Sequence, residues 1–280
     1  MRAVVRWVAI GAGLVLVVAA GLGWAAYRKF SANIRTDRAA MRMLAADAGQ
    51  RPRVLVPQAR NILVLGAGGG QPGAQGAVLL HLSADRDRAA AIGVPRDLMV
   101  RAPSCRRPDG GTSPASYEHF GAAFGAGGAA CSIRAFEGLS GIRVDHHLVV
   151  DVHGFQKIAA AVGGDSLDRR ADLLQALARE ARGGGGGLAH PARLYGILDT
   201  ATSSITADPG LSSLPALYEL AGSLRALPAD GLVFRTVPAA AGRGGGDVPR
   251  EPAAGRLFAA VRADRPLVMP SSYDARPARR

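Results

Sequence analysis

Lysine is nearly missing from this chain: Lys29 and Lys157 are the only two. The large positive charge, +12 with a sequence pI near 11.0, is therefore carried almost wholly by arginine. Arginine presents a planar fork of donors that matches phosphate oxygens, so an arginine-rich basic domain favours anionic partners such as lipid headgroups or phosphate-rich polymers. The Ala, Gly and Arg bias equally fits a GC-rich genome that converts lysine codons to arginine codons. Aromatic residues are also scarce, at 5%. With no recognition-helix, RNA-binding or zinc-finger pattern either, nucleic acid is not expected as a partner. Only two cysteines occur, Cys105 and Cys131. A zinc site would need further ligands at suitable spacing, and none flank them. The pair reads as a candidate disulfide if the domain is exported, and as two buried free thiols if it is not. Catalysis by Ser-His-Asp or by paired carboxylates has no local signature.

Charge is missing altogether from Trp7 to Tyr27. This run of about 21 residues is long enough to cross a hydrocarbon core of ~30 Å as a helix. Arg2 and Arg6 precede it, Trp7, Trp24 and Tyr27 sit at its ends, and no clean Ala-x-Ala cleavage site follows. The expected organisation is a transmembrane anchor over residues 1–29, a polar stalk over 30–58, a folded domain over 59–270 and a disordered tail over 271–280. Arginines follow the span, so local charge does not favour export of the C-terminus. Long domains translocate largely regardless of charge, however, and the cysteines favour an external domain.

Beyond the anchor, hydrophobic residues are plentiful, at 48% of the chain, and the length suits one sizeable core. Asn61–Gly66 predicts a short buried strand, followed by a glycine-rich stretch. Gly76–Asp85 and Arg88–Asp97 predict two strands of a hairpin that closes on Pro95-Arg96-Asp97. Ser116–Phe124 and Ala129–Leu139 predict helices, and His146–Gly154 a strand with a short helix after it. Asp168–Arg182, Pro191–Ile205 and Leu214–Leu227 predict further helices. A last strand over Leu232–Ala239, a second glycine-rich loop and a helix around Arg256–Pro266 follow. Strands alternating with helices give an α/β fold: a central mixed sheet flanked by helices, with one N-terminal transmembrane helix.

Among the motifs, residues 68–73 formally spell G-x-G-x-x-G, but Pro72 stands where a helix should open, so a flexible loop is the expected reading. Alternation places His147, Asp151 and His153 on one strand face, which is read as solvated rather than as a metal site. Pro95-Arg96-Asp97 is the sharpest feature, because it puts an arginine and an aspartate at a strand end, where α/β sheets often bind ligands. A surface ion pair is the competing reading.

Taken in order and spacing, these segments resemble the LytR–CpsA–Psr family of bacterial envelope proteins. Asn61–Gly66 is similar to the family's opening strand. Leu79–Val100 is similar to its hairpin ending on Pro-Arg-Asp, and Ser116–Gly164 to its longest recognisable stretch. Leu194–Leu227 and Leu257–Pro266 are similar to its later helices. The cysteines resemble a pair found in some members, which implies a Cys105–Cys131 disulfide.

The resemblance implies a single-pass cell-membrane protein whose domain is extracytoplasmic. Its function would be transfer of a glycopolymer from a polyprenyl-pyrophosphate carrier to peptidoglycan at the outer membrane face. The lipid tail would lie in an apolar tunnel and aspartates would hold Mg²⁺. Arg96 would clamp the pyrophosphate with Asp97 orienting it, and Arg169 and Arg170 would add phosphate-binding charge. The sequence also departs from the family. Ala67 to Gly70 stand where it carries Ser-Asp-Ser-Arg, Gln75 and Gly76 where it carries an aspartate, and an arginine-bearing insert after Gly164 is lacking. With those carboxylates gone, no metal ligand is assigned. Mg²⁺ is expected only if catalysis survives through another carboxylate such as Asp85 or Asp165. The alternative function is a catalytically impaired binder of polyprenyl-phosphate lipid or anionic wall polymer.

Overall fold

The computed structural model describes residues 2–68, 73–107, 110–153, 191–228, 230–242 and 245–267, with side chains left out at 2–16, 191–194 and 197. The helices are α1 (Arg2–Asn33), α2 (Arg38–Ala46), α3 (Phe120–Ser140), α4 (Pro191–Ser203), α5 (Leu214–Arg225) and α6 (Ala253–Arg262). The strands are β1 (Arg35–Thr36), β2 (Arg60–Ala67), β3 (Ala74–Leu82), β4 (Ala89–Val94), β5 (Met99–Ala102), β6 (Cys105–Arg106) and β7 (Thr112–Ser113). They continue with β8 (Ser116–His119), β9 (His146–Asp151), β10 (Ile205–Ala207), β11 (Leu232–Thr236), β12 (Ala239–Ala241) and β13 (Asp247–Pro249). The helices expected near residues 155–164 and 168–182, and the tail from 271, lie outside the described residues.

Seven strands form one mixed sheet in the order β1-β10-β9-β2-β3-β4-β11. The hairpin read from the sequence is present: β2, β3 and β4 pair antiparallel, with Val78 opposite Gly93 and Val64. β9 runs parallel to β2, and β11 parallel to β4. Alternation along β2 sends Leu63 and Leu65 to one face and Ile62 and Val64 to the other. On the first face Leu79, Ile92 and Val94 join them beneath Phe120, Ile133 and Phe136 of α3, Leu44 of α2 and Phe258 of α6. The Phe136 and Phe258 rings meet edge to face at 6.5 Å. On the second face α5 lays Leu217, Leu220 and Leu224 against Ile62, Leu82 and Leu148.

Two regions differ from the sequence reading. Residues 116–119, expected as the start of a helix, form β8 because they pair with β5, Arg101 standing opposite Tyr117. From Phe120 the two helices expected here are present, joined end to end as α3 across a break where Gly127 and Gly128 leave helical φ/ψ. Residues 30–58, read as a stalk, are built into the domain. β1 pairs with β10, and α2 buries Ala40 and Leu44 in the core. Asp37 caps α2 by accepting from the Ala40 N–H at 2.9 Å.

α1 is helical through the whole uncharged run. Among the described residues no helix is long and apolar enough to cross a membrane, and the side chains of residues 2–16, much of that run, are outside the description. The last turn of α1 is fixed to α4. Lys29 donates to the Tyr195 hydroxyl at 2.7 Å, and Asn33 to Asp199 and Thr202 at 3.0 and 3.1 Å.

Cys105 and Cys131 form a disulfide, with Cα atoms 5.6 Å apart. It ties β6, and with it the excursion between β5 and β8, to the middle of α3. Gly127 leaves room for it: a Cβ there would stand 3.0 Å from that of Cys131 and 3.1 Å from that of Cys105.

Candidate functional site

β2 and β9 are parallel and finish together, with Ala67 beside Asp151. β3 begins and β4 ends at the same edge, so one end of the sheet gathers Gly68, Gly73, Gln75, Asp151 and the Pro95-Arg96-Asp97 turn. Ligands of open α/β sheets bind at such carboxyl ends.

The turn is locked by the start of α3. The Phe120 and Gly121 N–H groups, otherwise orphaned at the helix start, donate to the Leu98 and Arg96 carbonyls at 2.8 and 2.9 Å. A Cβ on Gly121 would stand 2.6 Å from the Ala74 carbonyl oxygen and 2.8 Å from Cγ of Arg96. Only glycine lets the helix approach this closely, and the contact presses the Arg96 stem into one place. Gly73, at φ +95°, makes the matching approach from the β3 side.

The Arg96 guanidinium is about a third exposed (36%). Nη1 donates to Oε1 of Gln75 at 3.0 Å. Asp97 is 3.9 Å from Arg96 Nε and 72% exposed, too far for a hydrogen bond. The aspartate expected to orient Arg96 is thus a loose neighbour, and the amide of Gln75 holds the guanidinium instead. The Asp97 backbone is itself held, since His119 Nδ1 donates to its carbonyl at 3.0 Å. Gln75 entered the sequence reading only as a lost aspartate. The signal that could have found it is register: it lies on β3 where that strand leaves the Arg96 end of β4.

Mg²⁺ needs oxygen ligands, usually including carboxylates. Among the described residues no three His, Cys, Asp or Glu side chains are grouped to hold a metal. Asp151 is the carboxylate nearest the opening of β2, since a Cβ on Gly68 would stand 2.8 Å from its Oδ1. That oxygen already accepts from the His153 N–H at 3.0 Å. The described residues therefore do not fit an Mg²⁺ site. Asp85 does not supply a ligand either. It sits in the β3–β4 turn, paired with Arg88 at 3.2 Å, roughly a six-residue strand or ~20 Å from Arg96. Asp165, Arg169 and Arg170 lie outside the described residues.

On β9, the face expected to be solvated is so only at its far end, where His153 is exposed and Asp151 half-buried. His147 is 1% exposed, with Nε2 3.4 Å from Oδ2 of Asp37. His146 points to the other face, with Nδ1 3.1 Å from Oδ1 of Asp208. The hydrogen bond to Asp208 raises the His146 pKa, against the opposing effect of burial.

Residues 30–183 match the LytR_cpsA_psr family. The fold is similar to that of a LytR-Csp2A-Psr enzyme from Actinomyces oris, with a TM-score of 0.56 and 17% identity over 75% of this chain and 93% of that one. It is similar to B. subtilis TagV, with a TM-score of 0.54 and 14% identity over 74% of this chain and 96% of that one. It is also similar to TagT bound to LIIa-WTA, with a TM-score of 0.52 and 14% identity over 78% of this chain and 97% of that one. At these identities the likeness is one of fold. No curated protein matches the sequence.

Proposed function

The chain belongs to the LytR–CpsA–Psr family, and from that premise we propose that it transfers a cell-envelope glycopolymer from a polyprenyl-pyrophosphate carrier to peptidoglycan. The work is done at the outer face of the membrane to which α1 anchors it. The name of TagT bound to LIIa-WTA supports a glycopolymer as the cargo.

The observation that carries the reading is the state of Arg96. It is fixed at the carboxyl end of the sheet, partly exposed, and held by a neutral amide at 3.0 Å rather than by a carboxylate. Its positive charge is offset only loosely, by Asp97 at 3.9 Å, and is open to a ligand. Phosphoryl transfer is largely a matter of positioning and of stabilising phosphate charge. An acceptor hydroxyl oxygen bonds to the phosphorus that carries the polymer. The bond from that phosphorus to the bridging oxygen breaks, polyprenyl phosphate leaves with its electron pair, and the proton lost by the hydroxyl passes to the departing phosphate or to solvent. Arg96, held in place by Gln75, binds the phosphate charge, with Asp97 only a loose neighbour of its Nε. Arg169 and Arg170, which lie outside the described residues, supply further phosphate-binding charge in this reading.

A specific observation favours a second reading, a binder of the same lipid or polymer that has lost turnover: the described residues assemble no carboxylate cluster for Mg²⁺. Calorimetric titration of the full chain in detergent with a short-chain polyprenyl pyrophosphate, with and without Mg²⁺, separates the two. Binding that tightens with Mg²⁺, followed by release of polyprenyl phosphate when acceptor is added, supports the transferase. Metal-independent binding without turnover selects the binder. No binding, or binding unchanged in Arg96→Ala, removes both.

A further inference from the structure

We propose that a cleft between the β5–β8 ribbon and the C-terminal half of α3 is a second ligand site, which takes a negatively charged saccharide unit. The cleft has a volume of about 610 Å³, with Gln50, Arg51, Arg101, Pro103, Tyr117 and Arg134 among its walls. It is remote from Arg96. Arg134 is 14 residues beyond the first residue of α3 and on the far side of its break at Gly127 and Gly128, so the two places lie on different halves of that helix.

Two of its arginines are already committed. Arg51 is buried and bidentate on Glu137, with Nη2 to Oε1 at 2.6 Å and Nε to Oε2 at 2.9 Å. Arg134 pairs with Asp47 at 2.7 Å and donates to the Ser104 carbonyl and to Oε1 of Gln50 at 2.8 and 2.7 Å. These bonds fix the floor and neutralise it. Arg101 is different. It is exposed, and among the described residues it makes no ion pair or side-chain hydrogen bond. The cleft therefore presents one uncompensated fork of donors on a rigid base, an arrangement suited to a carboxylate or phosphate.

Tyr117 decides what carries that anion. It stands directly opposite Arg101 in the antiparallel ribbon, so both side chains leave the same face. The inward positions next to Arg101, Val100 and Ala102, are 2% and 3% exposed, whereas Tyr117 is 58% exposed. An inorganic anion has no use for an aromatic face or for the proline beside it. A sugar ring does: its C–H face packs on the aromatic ring while its charged group reaches the arginine and its hydroxyls reach polar groups such as Gln50. Which polymer supplies the sugar rests on the glycopolymer reading above. The charge and the aromatic face do not.

The test is titration of the full chain in detergent with four probes: hexagalacturonate, a phosphodiester-linked sugar oligomer of equal length, neutral maltohexaose and inorganic phosphate. Either charged oligomer should bind at least about tenfold tighter than maltohexaose, the tighter one naming the charged group. Arg101→Ala and Tyr117→Ala should each weaken it by about tenfold. Gly138→Phe should also weaken it, because a Cβ there meets nothing within 4 Å and the side chain enters the cleft without disturbing the fold. Binding of neither charged oligomer, equal binding of maltohexaose, indifference to both Arg101→Ala and Tyr117→Ala, or full displacement by equimolar phosphate would each overturn the proposal. Arg96→Ala keeps the two sites apart. It should abolish polyprenyl-pyrophosphate binding and leave oligosaccharide binding intact, so either reading can fail alone.

Discussion

The two ends of the central sheet are built from opposite materials. At the end where β2 and β9 finish stand glycines, a neutral glutamine and one arginine whose nearest carboxylate is 3.9 Å away. At the other end nearly every charge is closed on a partner. Glu137 holds Arg51 and accepts from the Val144 N–H. His81 lies between Asn61 and Asp264, Asp145 accepts from the Asn61 N–H, and Asp208 holds His146. Closed pairs cannot serve a ligand without being broken, and an open arginine adds little to stability. The comparison therefore assigns the closed pairs of one end to folding and Arg96 of the other to binding, and substitutions of these residues should divide in the same way.

The largest loss is expected from Glu137→Ala. Its side chain and that of Arg51 are 2% and 7% exposed, so truncation strands a buried guanidinium, a change that typically costs about 3–5 kcal/mol. Thermal unfolding should show it, and a drop in Tm within the scatter of surface variants would break the comparison at its strongest point. Next comes Cys131→Ser. The disulfide spans a sequence separation of 26, for which chain entropy predicts a loss of ~3.5 kcal/mol. Denaturant unfolding under oxidising and reducing conditions measures it, since wild type in reductant should fall to meet the variant.

Arg96→Ala should behave in the reverse sense. Stability should stay within about 0.5 kcal/mol, as for surface changes generally. Affinity for polyprenyl pyrophosphate should fall by about tenfold or more with the loss of a charge-assisted contact. A variant that unfolds instead would move Arg96 into the structural class.

His146 sharpens the picture through pH. Its folded pKa is raised, chiefly by the hydrogen bond to Asp208, so the charged form is the one the fold stabilises. That contribution is complete below the unfolded histidine value of about 6.5 and fades as pH rises through the raised folded value. Asp208 is shifted down: burial pushes its pKa up, but the bonds from His146, the His147 N–H and the Gly210 N–H outweigh it. Its own share is lost only as pH falls through that lowered value, below the histidine range. His146→Gln should therefore cost about 1.5 kcal/mol in the mildly acidic range, and the gap to wild type should narrow toward alkaline pH. Parallel Tm-against-pH curves would show that the pair does not titrate as the geometry implies.

Local pattern made some of this legible in advance. The β3–β4 hairpin and the Pro95-Arg96-Asp97 turn follow from alternation and turn chemistry that lie within about twenty residues. What pattern could not show was pairing across the chain. Residues 35–36 look like linker until β10, far along the chain, offers them an edge. Residues 116–119 carry helix-like neighbours, and only the β5 partner makes them a strand. At the site the same limit applied. Arg96 was found because its motif is contiguous. Its holder Gln75 lies 21 residues away and was found only through the sheet. His147 read as surface because its carboxylate, Asp37, comes from an element 110 residues distant, and the Asp208 that holds His146 is likewise 62 residues away.

The smallest expected effect is a gain, and it tests whether the cleft beside α3 is kept open for a reason. Gly138 is helical and exposed, close to the end of α3, and a Cβ on it would meet nothing within 4 Å. Glycine in a helix costs conformational entropy without returning contacts here, so Gly138→Ala should stabilise the domain by about 0.4–1 kcal/mol. Gly138 lines the same cleft as Arg101 and Tyr117. If affinity for the charged oligosaccharide falls while Tm rises, the glycine is retained for the ligand at a small expense of stability. If Tm rises and binding is unchanged, a methyl is too short to reach the bound sugar, and Gly138→Phe becomes the variant that decides whether the cleft is occupied.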